Sequence, residues 1–196
     1  MSSQSITSGN FTFTKTSIEG VIAVDAKTYG DERGSFMETY KKPDFVKGGI
    51  DAEFVQDNQS VSVKGVLRGL HYQLKHPQAK LLRVIKGEVF DVAVDLREGS
   101  PTFGKWEGVI LSSENHRQFF IPRGFAHGFL VLSDTADFSY KCDEVYYPND
   151  EGGIIWNDPD LGIDWPLQSI TAQKLILSPK DQRNPSFKEL RKVLER

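Results

Sequence analysis

The chain has 196 residues, with 24 Lys and Arg against 27 Asp and Glu, which gives a net charge of −3 at neutral pH. This length suits one domain with its own hydrophobic core, and the mild acidity argues against general binding to nucleic acid. The single cysteine, Cys142, excludes an intrachain disulfide and a thiolate metal site. The first residues lack the pattern of a secretory signal, and no apolar run reaches the roughly 20 residues of a membrane helix. We therefore expect a soluble, cytoplasmic protein with a single domain over residues 1–196 and no membrane partner.

Most of the chain shows the alternation that is typical of strands. Residues 1–10 are small and polar, and we expect them to be flexible. Strands are predicted at residues 36–40, 81–85, 89–96, 106–111, 118–121, 127–132, 137–142 and 154–156. In residues 89–96, apolar side chains alternate with Asp91 and Asp95, which places both aspartates on the opposite face. One helical turn is predicted at residues 43–47, and Ser186 and Glu189 form a capping-box pattern for a short C-terminal helix. About ten short strands with few helices indicate an all-β barrel or jelly roll.

One stretch of the chain has an uneven charge. Residues 58–87 contain no Asp or Glu, yet they hold Lys64, Arg68, Lys75, Lys80, Arg83 and Lys86. Clustered cations of this kind favour an anionic ligand. A solvated basic rim is the alternative.

Two of the four histidines lie in apolar segments beside glycine. His127 completes the spacing Pro-x-Gly-x-x-His, which resembles the turn that directs a histidine into a cupin barrel. Metal-binding cupins carry a His-x-His pair, whereas the residue two positions after His71 is Gln73. Two histidines do not make a typical metal site with three or four ligands. We expect a cupin-type barrel without a metal that uses inward residues for acid–base chemistry; two hydrogen-bonded structural histidines are the alternative.

The spacing around His71 predicts an irregular strand. Arg68 lies three positions before His71, so a regular strand would place the two side chains on opposite faces. A bulge at Gly69 would turn both of them inward. Lys80 is then a candidate for binding a phosphate or an oxyanion.

Two further side chains have both a functional and an ordinary structural interpretation. Tyr140 alternates with Phe138, so both point to one side of a strand, and a core tyrosine is the alternative to a catalytic one. Asp181 is typical of a turn or of the start of a helix. Its involvement in a site requires the C-terminal segment to fold back over the barrel.

Seven consecutive segments carry a family resemblance: GDERGSFMETY (30–40), FVQDNQS (54–60), VLRGLHYQ (66–73), KLLRVIKGEVFDVAVDLREGSPTFGKW (80–106), IPRGFAHGFLVLS (121–133), WNDPDLGIDWP (156–166) and LSPKDQRNP (177–185). In this order they resemble the dTDP-4-dehydrorhamnose 3,5-epimerase family of dTDP-L-rhamnose biosynthesis. The resemblance implies a cupin-type jelly roll with a few short, mainly C-terminal helices. It also implies a dTDP-sugar substrate, no cofactor, no metal, and a homodimer that exchanges N-terminal strands.

The resemblance also implies roles for individual residues. His71 matches the general base, Asp181 the carboxylate that orients it, Tyr140 the general acid, and Lys80 the cation that faces the C4 carbonyl oxygen. Positions that match the lining of the nucleotide-sugar site are Gln56, Asp57, Asn58, Arg68, His127, Tyr146, Glu151 and Lys180. Arg33 and Glu38 match positions on the exchanged strands, which reach the site of the partner.

The expected reaction inverts C3 and C5 of dTDP-4-dehydro-6-deoxy-D-glucose and gives dTDP-4-dehydro-L-rhamnose. Inversion next to a ketone needs a base, a group that stabilises the enolate oxygen, and an acid on the opposite face. Histidine, lysine and tyrosine supply these functions without a redox cofactor. The alternatives are a 3-epimerase or a keto-isomerase on a related dTDP-sugar, a non-catalytic nucleotide-sugar-binding cupin, and a metal-dependent cupin oxygenase.

Overall fold

The computed structural model describes residues 4–170 and 174–194, and strands dominate these ranges. The strands are β1 (Ser5–Ser8), β2 (Phe11–Lys15), β3 (Ile22–Ala26), β4 (Thr28–Asp31), β5 (Gly34–Met37), β6 (Gln56–Val63), β7 (Leu67–Gln73), β8 (Lys80–Lys86), β9 (Glu88–Asp95), β10 (Trp106–Ser112), β11 (Arg117–Ile121), β12 (Phe125–Val131), β13 (Thr135–Cys142) and β14 (Glu151–Gly153). The helices are α1 (Lys42–Lys47) and α2 (Phe187–Leu194), with single 3-10 turns at Leu167–Ile170 and Asp181–Arg183.

Two antiparallel sheets form the body of the protein. The larger sheet has seven strands in the order β1-β2-β3-β11-β8-β13-β6, and the smaller sheet has five in the order β10-β9-β12-β7-β14. A separate hairpin consists of β4 and β5. Because consecutive strands alternate between the two sheets over much of the chain, the sheets are linked into a jelly-roll barrel.

One cluster of buried apolar residues lies between the sheets. Leu82, Phe119 and Phe138 of the seven-stranded sheet meet Val89 and Phe129 of the five-stranded sheet there. Alternate residues of β9 and β12 face this cluster, and the residues between them face a second one. The five-stranded sheet is therefore buried on both faces.

The outer faces of both sheets are covered by short segments rather than by long helices. Trp165, Phe187 and Leu190 of the C-terminal region pack on the outside of the five-stranded sheet. Phe45 of α1 packs against Phe11 of β2 on the outside of the other sheet. Among the residues that the structure describes, no helix is long and apolar enough to cross a membrane.

The structure confirms the predicted all-β architecture and most of the predicted elements. Strands β8 to β13 coincide with their predictions within a few residues, and both helices are present. The capping box is also confirmed, because Ser186 Oγ accepts a hydrogen bond from the Glu189 amide, and Glu189 Oε2 accepts from the Ser186 amide.

Three predictions differ from the structure. The strand predicted at residues 154–156 lies three residues earlier, at Glu151–Gly153, where β14 pairs with β7. The strand predicted at residues 36–40 ends at Met37. Within residues 1–10, which we expected to be flexible, Ser5–Ser8 pair with β2, while residues 1–3 lie outside the described residues.

Candidate active site

A cavity of about 590 Å³ opens between the two sheets. The five-stranded sheet, the seven-stranded sheet and the C-terminal segment all contribute to its walls. The predicted site residues that line it are Asn58, Arg68, His71, Lys80, His127, Tyr140, Tyr146, Glu151, Lys180 and Asp181. The structure thus brings ten of the fourteen predicted residues to one cavity.

A bulge in β7 turns two of these side chains to the same side. His71 pairs with His127, and Arg68 pairs with Phe129. The two residues between His71 and Arg68 in β7 therefore face the single residue between His127 and Phe129 in β12. Gly69 lies in the bulge with a φ of +117°, and a Cβ atom there would lie 2.5 Å from the Gly128 Cα. Only glycine fits so close to a neighbouring backbone. The predicted bulge is confirmed, and it explains why Arg68 and His71 both face the cavity.

His71 is held by a carboxylate from the far end of the chain. Its Nε2 donates to Asp181 Oδ1 at 2.5 Å, and the Asp181 side chain is only 3% exposed. Burial alone would raise the pKa of Asp181, but the hydrogen bond and charge of His71, together with hydrogen bonds from Ser178 and the Gly69 backbone, bring the pKa below its usual value. Because the ionised carboxylate only accepts hydrogen bonds, the proton of neutral His71 lies on Nε2. Nδ1 therefore carries a lone pair.

A second carboxylate lies near that lone pair. Glu151 Oε1 is 3.8 Å from His71 Nδ1, and Glu151 Oε2 accepts a hydrogen bond from Tyr146 Oη at 2.8 Å and pairs with Lys180. Burial favours the neutral acid, yet the bonds from Lys180 and Tyr146 bring the pKa of Glu151 below its usual value. Glu151 is thus an anion whose charge is balanced by Lys180.

Lys80 and Tyr140 lie on the opposite sheet from His71. Lys80 begins β8 and Tyr140 lies on the adjacent strand β13, with the Lys80 Nζ atom 5.9 Å from the centre of the Tyr140 ring. Burial raises the pKa of Tyr140, so its hydroxyl stays protonated. Burial also lowers the pKa of Lys80, since the charged amine has lost its water.

An aspartate that was not predicted as a site residue lies next to His127 of the cavity wall. Asp91 of β9 is fully buried, and its carboxylate accepts a hydrogen bond from His127 Nε2 at 2.9 Å. Burial raises the pKa of Asp91 and lowers that of His127, because both charged forms are desolvated. As predicted, Asp91 lies on the face of β9 opposite Phe90, Val92 and Val94, but the face of Asp91 is the one that points into the barrel. The signal that could have identified Asp91 is a charged residue on a strand that is buried on both faces.

Strand β6 lines one wall with polar side chains. Its inward positions include Asn58 and Ser62, and Ser62 Oγ accepts hydrogen bonds from the Arg68 guanidinium at 3.2 and 3.3 Å. Asp57 points the other way, because successive side chains alternate along a strand. Its carboxylate pairs with Lys141 on the outside of the seven-stranded sheet.

Three other predicted residues also lie away from the cavity wall. Gln56 accepts a hydrogen bond from the Tyr146 amide at 2.9 Å, so it supports a lining residue without lining the cavity itself. Arg33 lies in the β4–β5 hairpin, where it pairs with Asp31. Glu38 follows that hairpin and accepts a hydrogen bond from Asn10.

The histidines, acidic residues and cysteine of residues 4–170 and 174–194 include no group of three or more that could hold a metal ion. The side chain of Gln73, at the position where metal-binding cupins have a second histidine, instead bonds to the backbone of two loops. The expectation of a site without metal or cofactor stays a prediction.

Two facing antiparallel sheets with a cavity between them define the class: this is a cupin-type jelly-roll barrel, shared with the solved structures that resemble it. The chain belongs to the dTDP-4-dehydrorhamnose 3,5-epimerase family, whose model matches residues 15–189.

Individual relatives agree with this assignment. The dTDP-4-dehydrorhamnose 3,5-epimerase of Methanothermobacter thermautotrophicus is 56% identical over 179 residues, which is 91% of this chain and 96% of the relative. The crystal structure of the Elizabethkingia anophelis epimerase of the same name superposes with a TM-score of 0.86 at 50% identity, covering 92% of this chain and 98% of that one. A Legionella pneumophila dTDP-6-deoxy-D-glucose-3,5-epimerase, solved with dTDP-4-keto-L-rhamnose, gives a TM-score of 0.85 at 54% identity, with 90% and 92% coverage.

Proposed function

We propose that this protein inverts C3 and C5 of dTDP-4-dehydro-6-deoxy-D-glucose to give dTDP-4-dehydro-L-rhamnose, without a cofactor. The observation that carries the proposal is the His71–Asp181 pair on one wall of the cavity, with Lys80 and Tyr140 on the opposite wall. Family membership supports the choice of substrate.

The first step is removal of a proton next to the C4 ketone. His71 Nδ1 takes the proton, because Nε2 is already bonded to Asp181. The electron pair of the broken C–H bond moves into the ring and leaves a negative charge on the C4 oxygen. Lys80 stabilises that enolate oxygen with its positive charge. The ionised Asp181 stabilises the imidazolium that has formed on His71.

The second step returns a proton to the same carbon from the other side. Tyr140 lies on the opposite sheet from His71 and keeps its proton, so it is suited to donate to the opposite face of the sugar. One C–H bond breaks and another forms at the same carbon, while His71 gains a proton and the O–H bond of Tyr140 breaks. Exchange with solvent then takes the proton from His71 and returns one to Tyr140 before the second carbon reacts. No electron leaves or enters the sugar, which is why the reaction balances without a redox partner.

The nucleotide half of the substrate is proposed to lie along the remaining walls. Arg68 suits the diphosphate because a guanidinium binds phosphate oxygens in pairs. The exposed ring of Tyr146 offers a surface on which thymine can stack. Asn58, His127, Glu151 and Lys180 complete the polar lining. Gln56 and Asp57, which do not line the cavity of a single chain, are assigned to binding on the resemblance alone.

We also propose that the protein acts in the cytoplasm as a homodimer that exchanges N-terminal strands. The β4–β5 hairpin stands apart from both sheets and exposes 68% of Phe36 and 46% of Tyr29, which favours a partner surface. Arg33 and Glu38 would then reach the partner's cavity. Mixing inactive His71→Ala and inactive Arg33→Ala protomers should restore activity only if each site combines residues of two chains.

Deuterium incorporation tests the reaction. The substrate is incubated with the protein in ²H₂O, and label at C3 and C5 is followed by NMR together with the configuration of the product. Label and inversion at both carbons are expected. Label at C3 alone would identify a 3-epimerase, a shifted ketone would identify a keto-isomerase, and tight binding without exchange would identify a binding module. Activity that a chelator abolishes would instead favour a metal-dependent oxygenase.

His71→Ala is expected to abolish exchange at both carbons. His116→Asn is the matched control, because His116 does not line the cavity and asparagine tolerates its positive φ of 52°. Exchange at the wild-type rate by His71→Ala would remove His71 from the proposed role.

A further inference from the structure

A short irregular segment carries Tyr146 at the wall of the cavity. Residues 145–147 form neither helix nor strand, and residue 144 lies in a bend. Backbone amides and carbonyls outside a helix or sheet must find other partners when they are shielded from water. Four of the backbone groups of residues 144–147 are bonded to side-chain amides.

Gln73 is the central partner. Its Nε2 atom donates to the carbonyl oxygens of His76, at 2.7 Å, and Val145, at 3.3 Å, and its Oε1 atom accepts from the Tyr147 amide at 2.8 Å. The side chain is buried, with 7% of the residue exposed. A glutamine amide suits this position because it both donates and accepts; a carboxylate or an apolar side chain cannot satisfy all three groups.

Two other glutamines bind the same segment. Gln56 Oε1 accepts from the Tyr146 amide at 2.9 Å, and Gln78 Nε2 donates to the Glu144 carbonyl at 2.8 Å. Each residue from 144 to 147 thus has one backbone group bonded to a glutamine side chain. We call Gln56, Gln73 and Gln78 the glutamine cradle. It spans β6, β7 and the loop before β8, all of which are far in sequence from residues 144–147.

A second contact reinforces the cradle. The His76 ring stacks on Tyr147 with ring centres 4.0 Å apart, and the Asp150 carboxylate accepts from the backbone amides of Lys75 and His76. The loop after β7 and the segment that holds Tyr146 are therefore fastened to each other. Tyr146 also donates to Glu151, so the cradle indirectly fixes a group beside His71.

We propose that Gln73, with Gln56 and Gln78, is a positioning residue for substrate binding that holds Tyr146 in place for the base of a nucleoside diphosphate. The proposal rests on the proposed function, because it assigns Tyr146 to the nucleotide. A segment that is ordered before binding spares the substrate the entropic cost of ordering it. Loss of the cradle should therefore weaken nucleotide binding and leave the proton-transfer residues intact.

Gln73→Met tests the cradle, since methionine has a similar length but does not form these hydrogen bonds. The KM for the dTDP-sugar and the Kd for dTDP, measured by calorimetry, should both rise about tenfold, with kcat within about twofold of wild type. Gln118→Met is the matched control, because Gln118 is also buried and donates to a backbone carbonyl, that of Thr39, away from the cavity. This control should lower thermal stability without changing KM.

A double-mutant cycle separates positioning from general structural damage. In a Tyr146→Ala background, Gln73→Met should not raise KM or Kd further. Additive effects of the two substitutions, an unchanged Kd for Gln73→Met, or an equal rise for Gln118→Met would each overturn the proposal. If Gln73→Met does not fold, Gln78→Met removes a single bond and serves in the same cycle. Wild-type protein that binds dTDP without exchanging deuterium would refute the reaction, while the dTDP affinities would still decide the role of the cradle.

Discussion

Asp181→Asn is the most direct test of how the buried carboxylate acts on His71. The substitution keeps the size of the side chain and removes its charge, in a position where the Asp181 side chain is 3% exposed and bonded at 2.5 Å. Hydrogen bonds to charged groups contribute about 1.5–3 kcal/mol, which corresponds to a loss of roughly 10-fold to 150-fold in kcat if the bond strengthens only as His71 becomes charged. An asparagine that turns its NH₂ group toward Nε2 would also move the imidazole proton to Nδ1. His71 would then have no lone pair for the sugar, so the measured loss would approach the roughly 10⁴-fold cost of a wrong tautomer.

The assay is the initial rate of deuterium incorporation at C3 under saturating substrate. Asp158→Asn is the matched control: Asp158 is equally buried, but it accepts hydrogen bonds from the backbone of Leu161 and Phe187, away from the cavity. It should lower the unfolding temperature and leave the rate of exchange unchanged. An Asp181→Asn protein that exchanges within twofold of wild type would refute the role assigned to the carboxylate.

Three further substitutions test separate parts of the site. Tyr140→Phe should slow product formation at least tenfold while exchange at C3 persists, because only reprotonation from the far wall needs the hydroxyl; equal losses in both NMR measurements would contradict this. Burial lowers the pKa of Lys80 from the ordinary lysine value of 10.5, so the amine loses its charge at a lower pH than a free lysine does. Because the neutral amine cannot stabilise an enolate, kcat should fall as the pH rises toward 10.5. Lys80→Arg should flatten that alkaline limb of the pH profile, since arginine stays charged. Gly69→Ala should lower the free energy of unfolding in urea by about 3 kcal/mol through both strain and overlap with Gly128, well beyond Gly34→Ala, where φ is also positive but no atom lies within 4 Å.

The core strands were predictable from the sequence because apolar residues alternate along the segments that are buried. Strands β8 to β13 contribute most of the cluster between the sheets, and their periodicity identifies them. The C-terminal helix was predictable for a local reason, since Ser186 and Glu189 satisfy each other's backbone within one turn.

Strand β6 was not predictable in the same way. Its sequence, Gln-Asp-Asn-Gln-Ser-Val-Ser-Val, is mostly polar because one face points toward the cavity and the other is exposed. The burial of Asp91 was not predictable either. Alternation shows that Asp91 and the apolar residues of β9 lie on opposite faces, but it does not show whether the face of Asp91 meets solvent or the barrel interior. The distance between His71 and Asp181 depends on how the last part of the chain folds back, which no local pattern encodes.

That folding back makes two distant parts of the chain depend on each other. The partner of His71 lies 110 positions further along the chain, beyond the last strand of the barrel. The C-terminal segment is docked through the Val66–Ile176 bridge and the bond from the Ile155 amide to the Pro185 carbonyl. A substitution that loosens this docking would therefore remove the carboxylate from His71 without changing any strand of the barrel.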